Sequence, residues 1–211
     1  MATDHHDHDH DEDPIARRNA LRAEALESLL VERGLVRAEL IDAIVARFEH
    51  EIGPLNGAKV VARAWTDLAF RARLLADAWA AIGELGLTTG PELTPIVVVP
   101  NQPDAHNVVV CTLCSCYPGS LLGLPPTWYK SPPYRSRVVR EPRVVLREMG
   151  LDLPAETEVR VWDSSAEVRY MVLPERPAGT EGWSEERLAT LVTRDALIGV
   201  ARAKTPEDIG G

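Results

Sequence analysis

The stretch Val108-Val109-Val110-Cys111-Thr112-Leu113-Cys114-Ser115-Cys116-Tyr117-Pro118 carries all three cysteines of this 211-residue chain within six positions. A β-branched run precedes the thiols and a Pro/Gly turn region follows them, so the pattern places a cysteine loop at the end of a buried strand. Thiols this dense read as one site, and without a fourth cysteine they cannot all be paired in disulfides. Residue chemistry alone leaves several sites open. Structural zinc needs four ligands, and His106 just upstream is a candidate for the fourth. An iron–sulfur cluster usually requires four thiolates. Cys111 and Cys114 have the spacing of a redox pair, which leaves Cys116 unexplained. Three buried cysteines that merely pack are the plainest alternative.

Outward from the loop, Ile96–Val99 and Asn107–Val110 read as short buried strands. Before them, Ala58 to Leu85 reads as one helix rich in Ala, Arg and Leu, with Trp65, Phe70, Leu74 and Trp79 as inward candidates and Gly86, Gly90 and Pro91 ending it. After the loop, Pro125, Pro126, Pro132 and Pro133 forbid an immediate long helix. Arg135–Arg140 and Glu141–Met149 are short helical candidates divided at Pro142. Glu158–Asp163 and Glu167–Leu173 read as a pair of strands joined at Ser164-Ser165, with Glu167 and Arg169 on one strand face, either as a pair supporting the site or as an exposed ion pair. Ser184 is a candidate N-cap for a helix through Thr193, and Asp195, Leu197 and Ile198 belong to the last packed segment. Mixed helices and short strands indicate an α+β fold.

The N-terminal region differs in character. Residues 1–13 alternate His5, His6, His8 and His10 with six acids, so the formal charge of −9 is partly a tail property: the rest of the chain holds 26 of the 32 acids against 23 bases. With no core-forming residues this segment is expected to be disordered, either a solvated charge run or a loose trap for divalent cobalt or nickel. Residues 14–55 carry two amphipathic patterns, Leu21/Ala25/Leu26/Leu29/Leu30 and Leu40/Ile41/Ile44/Val45/Phe48/Ile52, broken by Gly34 and closed by Gly53-Pro54. They read as an arm whose stripe is covered by another chain, or that packs on its own domain. Residues 56–211 are expected to form one domain around the cysteine loop, the candidate metal-binding site. The chain is 45% hydrophobic and 26% charged, the composition of a soluble globular protein. No membrane-length apolar run and no basic-then-apolar leader is present, which points to the cytoplasm, as do the thiols. Nucleotide-loop, zincin and serine-hydrolase motifs are absent, and the acidity argues against nucleic acid.

The cysteine stretch, Val110-Cys-Thr-Leu-Cys-Ser-Cys116 with Tyr117-Pro118, resembles the metal-binding motif of nitrile hydratase α subunits. The resemblance continues through Leu122-Gly-Leu-Pro-Pro-Thr-Trp-Tyr-Lys130, Tyr134-Arg-Ser-Arg-Val-Val-Arg-Glu-Pro-Arg143, Val161-Trp-Asp-Ser-Ser165 and Arg176-Pro-Ala-Gly-Thr-Glu-Gly-Trp-Ser-Glu-Glu186. Upstream it includes Ala58-Lys-Val-Val61 and Ala64-Trp-Thr-Asp67, so it spans nearly everything after the tail.

That resemblance implies a lyase that hydrates an organonitrile to its amide at a low-spin Co(III) centre, with Fe(III) as the alternative. Thr112, where iron-type members carry serine, is the cobalt indication. The implied metal ligands are the sulfurs of Cys111, Cys114 and Cys116 and the deprotonated backbone nitrogens of Ser115 and Cys116, neither of which is proline. Cys114 would be the sulfinate and Cys116 the sulfenate, and Ser115 would support the site through its hydroxyl. Either the sulfenate oxygen attacks a polarised nitrile, or the metal lowers the pKa of bound water. The family further implies a layered α/β/β/α domain, an arm embracing a β subunit in an α2β2-type heterotetramer, and an activator or metallochaperone protein. Two positions depart from the family pattern. Gly119 and Ser120 stand where tryptophan and proline are usual, which enlarges the expected substrate pocket. Glu92 stands where iron-type relatives place glutamine. The same blocks resemble the thiocyanate hydrolase γ subunit, which is the alternative enzyme. A non-catalytic cobalt-carrying subunit is the alternative outside catalysis.

Overall fold

The computed structural model describes residues 14–48, 52–53, 55–87, 94–114 and 116–210. The His/Asp-rich segment 1–13, Glu92 and Ser115 lie outside the described residues. Two compact units divide the chain, Met1–Val45 and Ala46–Gly211.

In the first unit, Pro14 opens α1 (Pro14–Glu32) at a position where its missing N–H costs nothing. Gly34 takes a left-handed conformation (φ 67°), and Leu35 N–H donates to the Leu30 carbonyl at 3.0 Å, so the helix ends in a glycine cap. Next comes α2 (Ala38–Arg47), which buries none of its residues. Leu21, Leu26, Leu40 and Ile44 are exposed while Leu30 and Ile41 are half-buried, so much of each apolar stripe read from the sequence is uncovered.

The second unit departs from the expected single helix over 58–85. The segment is three helices, α3 (Leu55–Thr66), α4 (Leu68–Ala76) and α5 (Ala78–Glu84). Asp67 and Asp77 cause the breaks, because each leaves helical geometry and its carboxylate accepts a backbone N–H three residues on, from Phe70 and Ala80. An aspartate that satisfies orphan donors in this way competes with helix continuation. The breaks let successive helices turn Val60, Val61, Phe70, Leu74 and Ile82 into one core, with Trp65 at its edge and Trp79 partly buried.

The strands are β1 (Ile96–Pro100), β2 (Ala105–Val110), β3 (Glu158–Asp163) and β4 (Arg169–Leu173). Here the expected pairing of the last two is overturned. β1 pairs parallel with β4, and β2 pairs parallel with β3, as two separate two-stranded ladders. Glu167 lies before β4, so it shares no strand face with Arg169. Alternation sorts the side chains. Val98, Val108, Val110, Met171 and Leu173 enter the main core, whereas Val99, Val109 and Val172 join Trp162 and Tyr170 in a smaller cluster.

Downstream of the cysteines come α6 (Gly119–Leu122), a 3-10 turn (Thr127–Lys130), α7 (Pro132–Arg140) and α8 (Pro142–Glu148). Ser131 caps α7 through Tyr134 N–H, a cap not read from the sequence, and Ser184 caps α9 (Glu185–Ala189) through Arg187 N–H as expected, although the helix stops at Ala189 instead of running through Thr193. Next is α10 (Arg194–Ile198), followed by Gly199 at φ 89°, where an added Cβ would lie 2.0 Å from the Asn107 carbonyl oxygen, and a 3-10 turn (Glu207–Ile209) comes last. No helix among the described residues is long and apolar enough to cross a membrane.

Candidate metal centre

Strand β2 is buried at every position and hands the chain to Cys111, which is fully buried. Ser164 N–H donates to the Val110 carbonyl at 2.7 Å, so the strand pairing continues to the last residue before the loop. Register then places Asp163 opposite Val110. Its two carboxylate oxygens accept from Thr112, one from the backbone N–H at 2.9 Å and the other from the hydroxyl at 2.5 Å. One acid on the neighbouring strand therefore fixes the first residue after Cys111.

The loop folds back on itself. Cys114 N–H donates to the Cys111 sulfur at 3.3 Å. Cys114 Sγ lies 3.5 Å from Cys111 Sγ and 3.1 Å from Cys116 Sγ, and all three sulfurs fall within 4.8 Å of one another. At 3.5 Å the C-x-x-C pair, Cys111 and Cys114, forms no disulfide. Cys111 and Cys116 are buried while Cys114 is exposed, and the neighbouring Leu113 is 85% exposed. The cluster is thus walled on the protein side and open at its tip.

Two side chains hold the loop's carbonyls. The buried Tyr129 donates its hydroxyl to the Cys116 carbonyl at 3.0 Å, and Arg135 Nη1 donates to the Cys114 carbonyl at 3.0 Å. A third, Tyr134, donates to Val109 O at 2.8 Å and ties the strand end to α7. Edge-on contacts between Tyr117 and Tyr129 (5.1 Å) and between Trp128 and Tyr134 (4.9 Å) pack these residues into one aromatic block.

Burial pushes the Cys116 thiol up to about 12, the neighbouring Cys114 and Cys111 sulfurs add to this, and Arg169 acts against it. Three sulfurs so close are costly as anions on their own, and a cation among them removes that cost. The donor set therefore fits a metal ion, with soft sulfur ligands, a preformed arrangement and an open side. Soft donors alone are compatible with zinc or cobalt. The proposed zinc ligand His106, however, stands near the start of β2 rather than at its cysteine end. Its Nε2 lies 2.7 Å from the Gly199 carbonyl and its Nδ1 lies 3.2 Å from Asn101 Nδ2. It belongs to a buried polar network with Asn101 and Asn107 and not to the cysteine cluster.

The expected Glu167–Arg169 pair is likewise absent among the described ion pairs. Glu167 accepts from the Ser165 hydroxyl at 2.8 Å, and Arg169 donates to the Ser165 carbonyl. Thr112 is in the site through Asp163. Gly119 opens α6 three residues after Cys116, and a Cβ there would meet nothing within 4 Å. Sequence reasoning gave no role to Asp163, Tyr129 or Arg135. Their roles depend on a parallel register and on the docking of α7, and no local pattern announces either.

Comparison with known proteins identifies the kind of chain that carries this loop. The family model for the nitrile hydratase alpha chain matches residues 17–201. The alpha subunit of the high-molecular weight cobalt-containing nitrile hydratase of Rhodococcus rhodochrous is 57% identical over 189 residues, 89% of this chain and 93% of that one. The gamma subunit of thiocyanate hydrolase from Thiobacillus thioparus is 46% identical over 190 residues, 85% of this chain and 78% of its own. Among solved structures, a histidine double mutant of the Fe-type nitrile hydratase of Comamonas testosteroni Ni1 superposes with a TM-score of 0.79 at 47% identity, covering 92% of this chain and 93% of that chain. With the family model spanning the strands, the cysteine loop and the helices that brace it, the chain belongs to the nitrile hydratase alpha-chain family.

Proposed function

We propose that this chain is the α subunit of a cobalt nitrile hydratase, which hydrates an organonitrile to the amide in complex with a β subunit. The observation that carries the reading is the convergence of the Cys111, Cys114 and Cys116 sulfurs within 4.8 Å on a strand-end loop. Cobalt is supported by Thr112 and by cobalt-containing relatives at 54–57% identity. The ligand set is the three sulfurs with the backbone nitrogens of Ser115 and Cys116, and Cys114 and Cys116 carry sulfinate and sulfenate. When bound, the trivalent ion supplies Lewis acidity to the nitrile or to water. This chain's residues do the rest. Asp163 holds Thr112, Tyr129 and Arg135 hold the carbonyls of Cys116 and Cys114, and Arg169 places positive charge near the Cys116 sulfur.

The assembly follows from what is uncovered. The apolar stripes of residues 14–55 are the arm for the β subunit, in an α2β2-type complex in the cytoplasm, with an activator protein loading the metal. The two ladders lie between helical layers as α/β/β/α, a reading supported by the burial of β2 at every position. The open space at Gly119 favours a bulky organonitrile. The test compares a small aliphatic with a large aromatic nitrile in the wild-type complex and in Gly119→Trp. Loss of the large substrate is expected, and unchanged preference refutes the substrate assignment. Thiocyanate hydrolysis is the second reading, on the 46% identical γ subunit. Product analysis separates the two, with amide on one side and carbonyl sulfide and ammonia on the other. Co-expression with a β subunit in cobalt medium, followed by native mass spectrometry, tests the whole reading. Cobalt, added oxygen on the loop and a bound second chain are expected, and zinc or an unoxidised free chain refutes it.

A further inference from the structure

A cleft of about 460 Å³ adjoins the metal loop, lined by Thr112, Pro132, Arg135, Ser136, Val139 and Arg140. Three arginines of α7 behave differently there. Arg137, outside the cleft, is neutralised by Glu141 at 2.5 Å and by both carboxylate oxygens of Glu148 at 2.8 and 2.7 Å. The two that line the cleft bond main-chain carbonyls instead, Arg135 that of Cys114 and Arg140 that of Ser136, each at 3.0 Å. Among the described residues neither forms an ion pair. Arg135 also keeps a buried Nε without a partner among the described residues. A guanidinium has five donors in a fork that matches a carboxylate, so two such groups with no acid between them form an incomplete pair of ion-pair sites. Val139, 50% exposed, adds an apolar contact beside them.

From this charge and shape we infer that the α7 cleft receives an acidic segment of the β subunit, with a carboxylate against Arg135 and Arg140 and an apolar side chain against Val139. Continuity argues for that occupant. Thr112 belongs both to the cleft and to the metal loop, so a chain covering the exposed Leu113 and Cys114 continues across α7. The inference rests on the proposed β-dependent enzyme and adds the chemistry of one contact. It also couples association to the site, because Arg135 holds the Cys114 carbonyl from the same cleft.

The test is labelling of the full chain, free and in the complex purified with its β subunit, with an arginine-specific dicarbonyl, read by mass spectrometry. Arg140 is expected to react in the free chain and to be protected in the complex. Arg140→Glu is expected to weaken α–β association about ten-fold at low salt, an effect that shrinks as salt rises, while Arg140→Lys retains most of it. Equal labelling of Arg140 in both states, or charge reversal without effect on the dissociation constant, overturns the inference. Protection that appears in the β-free chain as its concentration rises assigns the cleft to a second copy and also overturns it. A complex that protects Arg140, responds to Arg140→Glu and forms no amide sinks the proposed activity and leaves the docking site standing.

Discussion

Replacing Tyr129 by phenylalanine removes one oxygen atom from the wall of the metal loop. The ring is fully buried and stays packed against Tyr117 at 5.1 Å and Tyr134 at 5.9 Å, so the apolar contacts survive. What is lost is the 3.0 Å bond to the Cys116 carbonyl, which is left in a buried site without its donor. An orphaned buried acceptor costs about 1–3 kcal/mol. That is a sizeable share of the roughly 5–15 kcal/mol that keeps a domain folded. At about 2–4 °C per kcal/mol for a chain of this size, a loss of about 2 kcal/mol lowers the melting temperature by about 4–8 °C. The released carbonyl also frees Cys116, whose sulfur lies 3.1 Å from that of Cys114. Cobalt content and the sulfur-to-metal absorption of the loaded complex should therefore change. Tyr134→Phe is the control, since its hydroxyl bonds the Val109 carbonyl at 2.8 Å, within β2 and before the loop. A similar fall in melting temperature with an unaltered cobalt spectrum is expected there. Tyr129→Phe with unchanged melting and unchanged spectrum refutes the anchoring argument, as does an equal spectral change in both variants.

Other substitutions separate the remaining roles. Tyr117→Phe, which removes a buried hydroxyl that has no partner among the described residues, should cost less than Tyr129→Phe or even stabilise, as read from paired denaturant midpoints. Gly199→Ala forces a Cβ to 2.0 Å from the Asn107 oxygen at a left-handed φ, and should lower stability by about 3 kcal/mol or more, visible as loss of folded protein on mild heating. Burial holds His106 below its ordinary 6.5, and because the Gly199 carbonyl accepts from Nε2–H, Nδ1 is the acceptor for the Asn101 amide. A proton on Nδ1 would face that donor. The unfolded chain thus binds this proton more readily than the folded one, so the contribution is present above the ordinary value and is lost as pH falls through the lower folded value. Unfolding curves across that window should flatten in His106→Gln, and an unchanged pH slope would remove His106 as the cause.

Much of the site was legible because its donors come from six consecutive residues, and local spacing needs no tertiary information to put Cys111, Cys114 and Cys116 in one loop. The helix cap at Ser184, the end of α1 at Gly34 and the strand character of Val108–Val110 were readable for the same reason, being chemistry within one or two turns of chain. Asp67 and Asp77 were misread inside one long helix, since an aspartate that caps and one that faces solvent look alike until the following N–H groups are placed. The pairing of β1 with β4 and of β2 with β3 was beyond reach of hydrophobic pattern, because buried parallel strands carry the same apolar run whichever neighbour they choose. From that pairing came Asp163 beside Thr112, and from the docking of α7 came Arg135 on the Cys114 carbonyl. Local sequence brings the sulfurs of Cys111, Cys114 and Cys116 together, since the loop that holds them is made of neighbours in the chain. Tertiary structure alone decides what holds that loop in shape and which of its sides stays open, since those contacts join residues 21 and 51 positions apart.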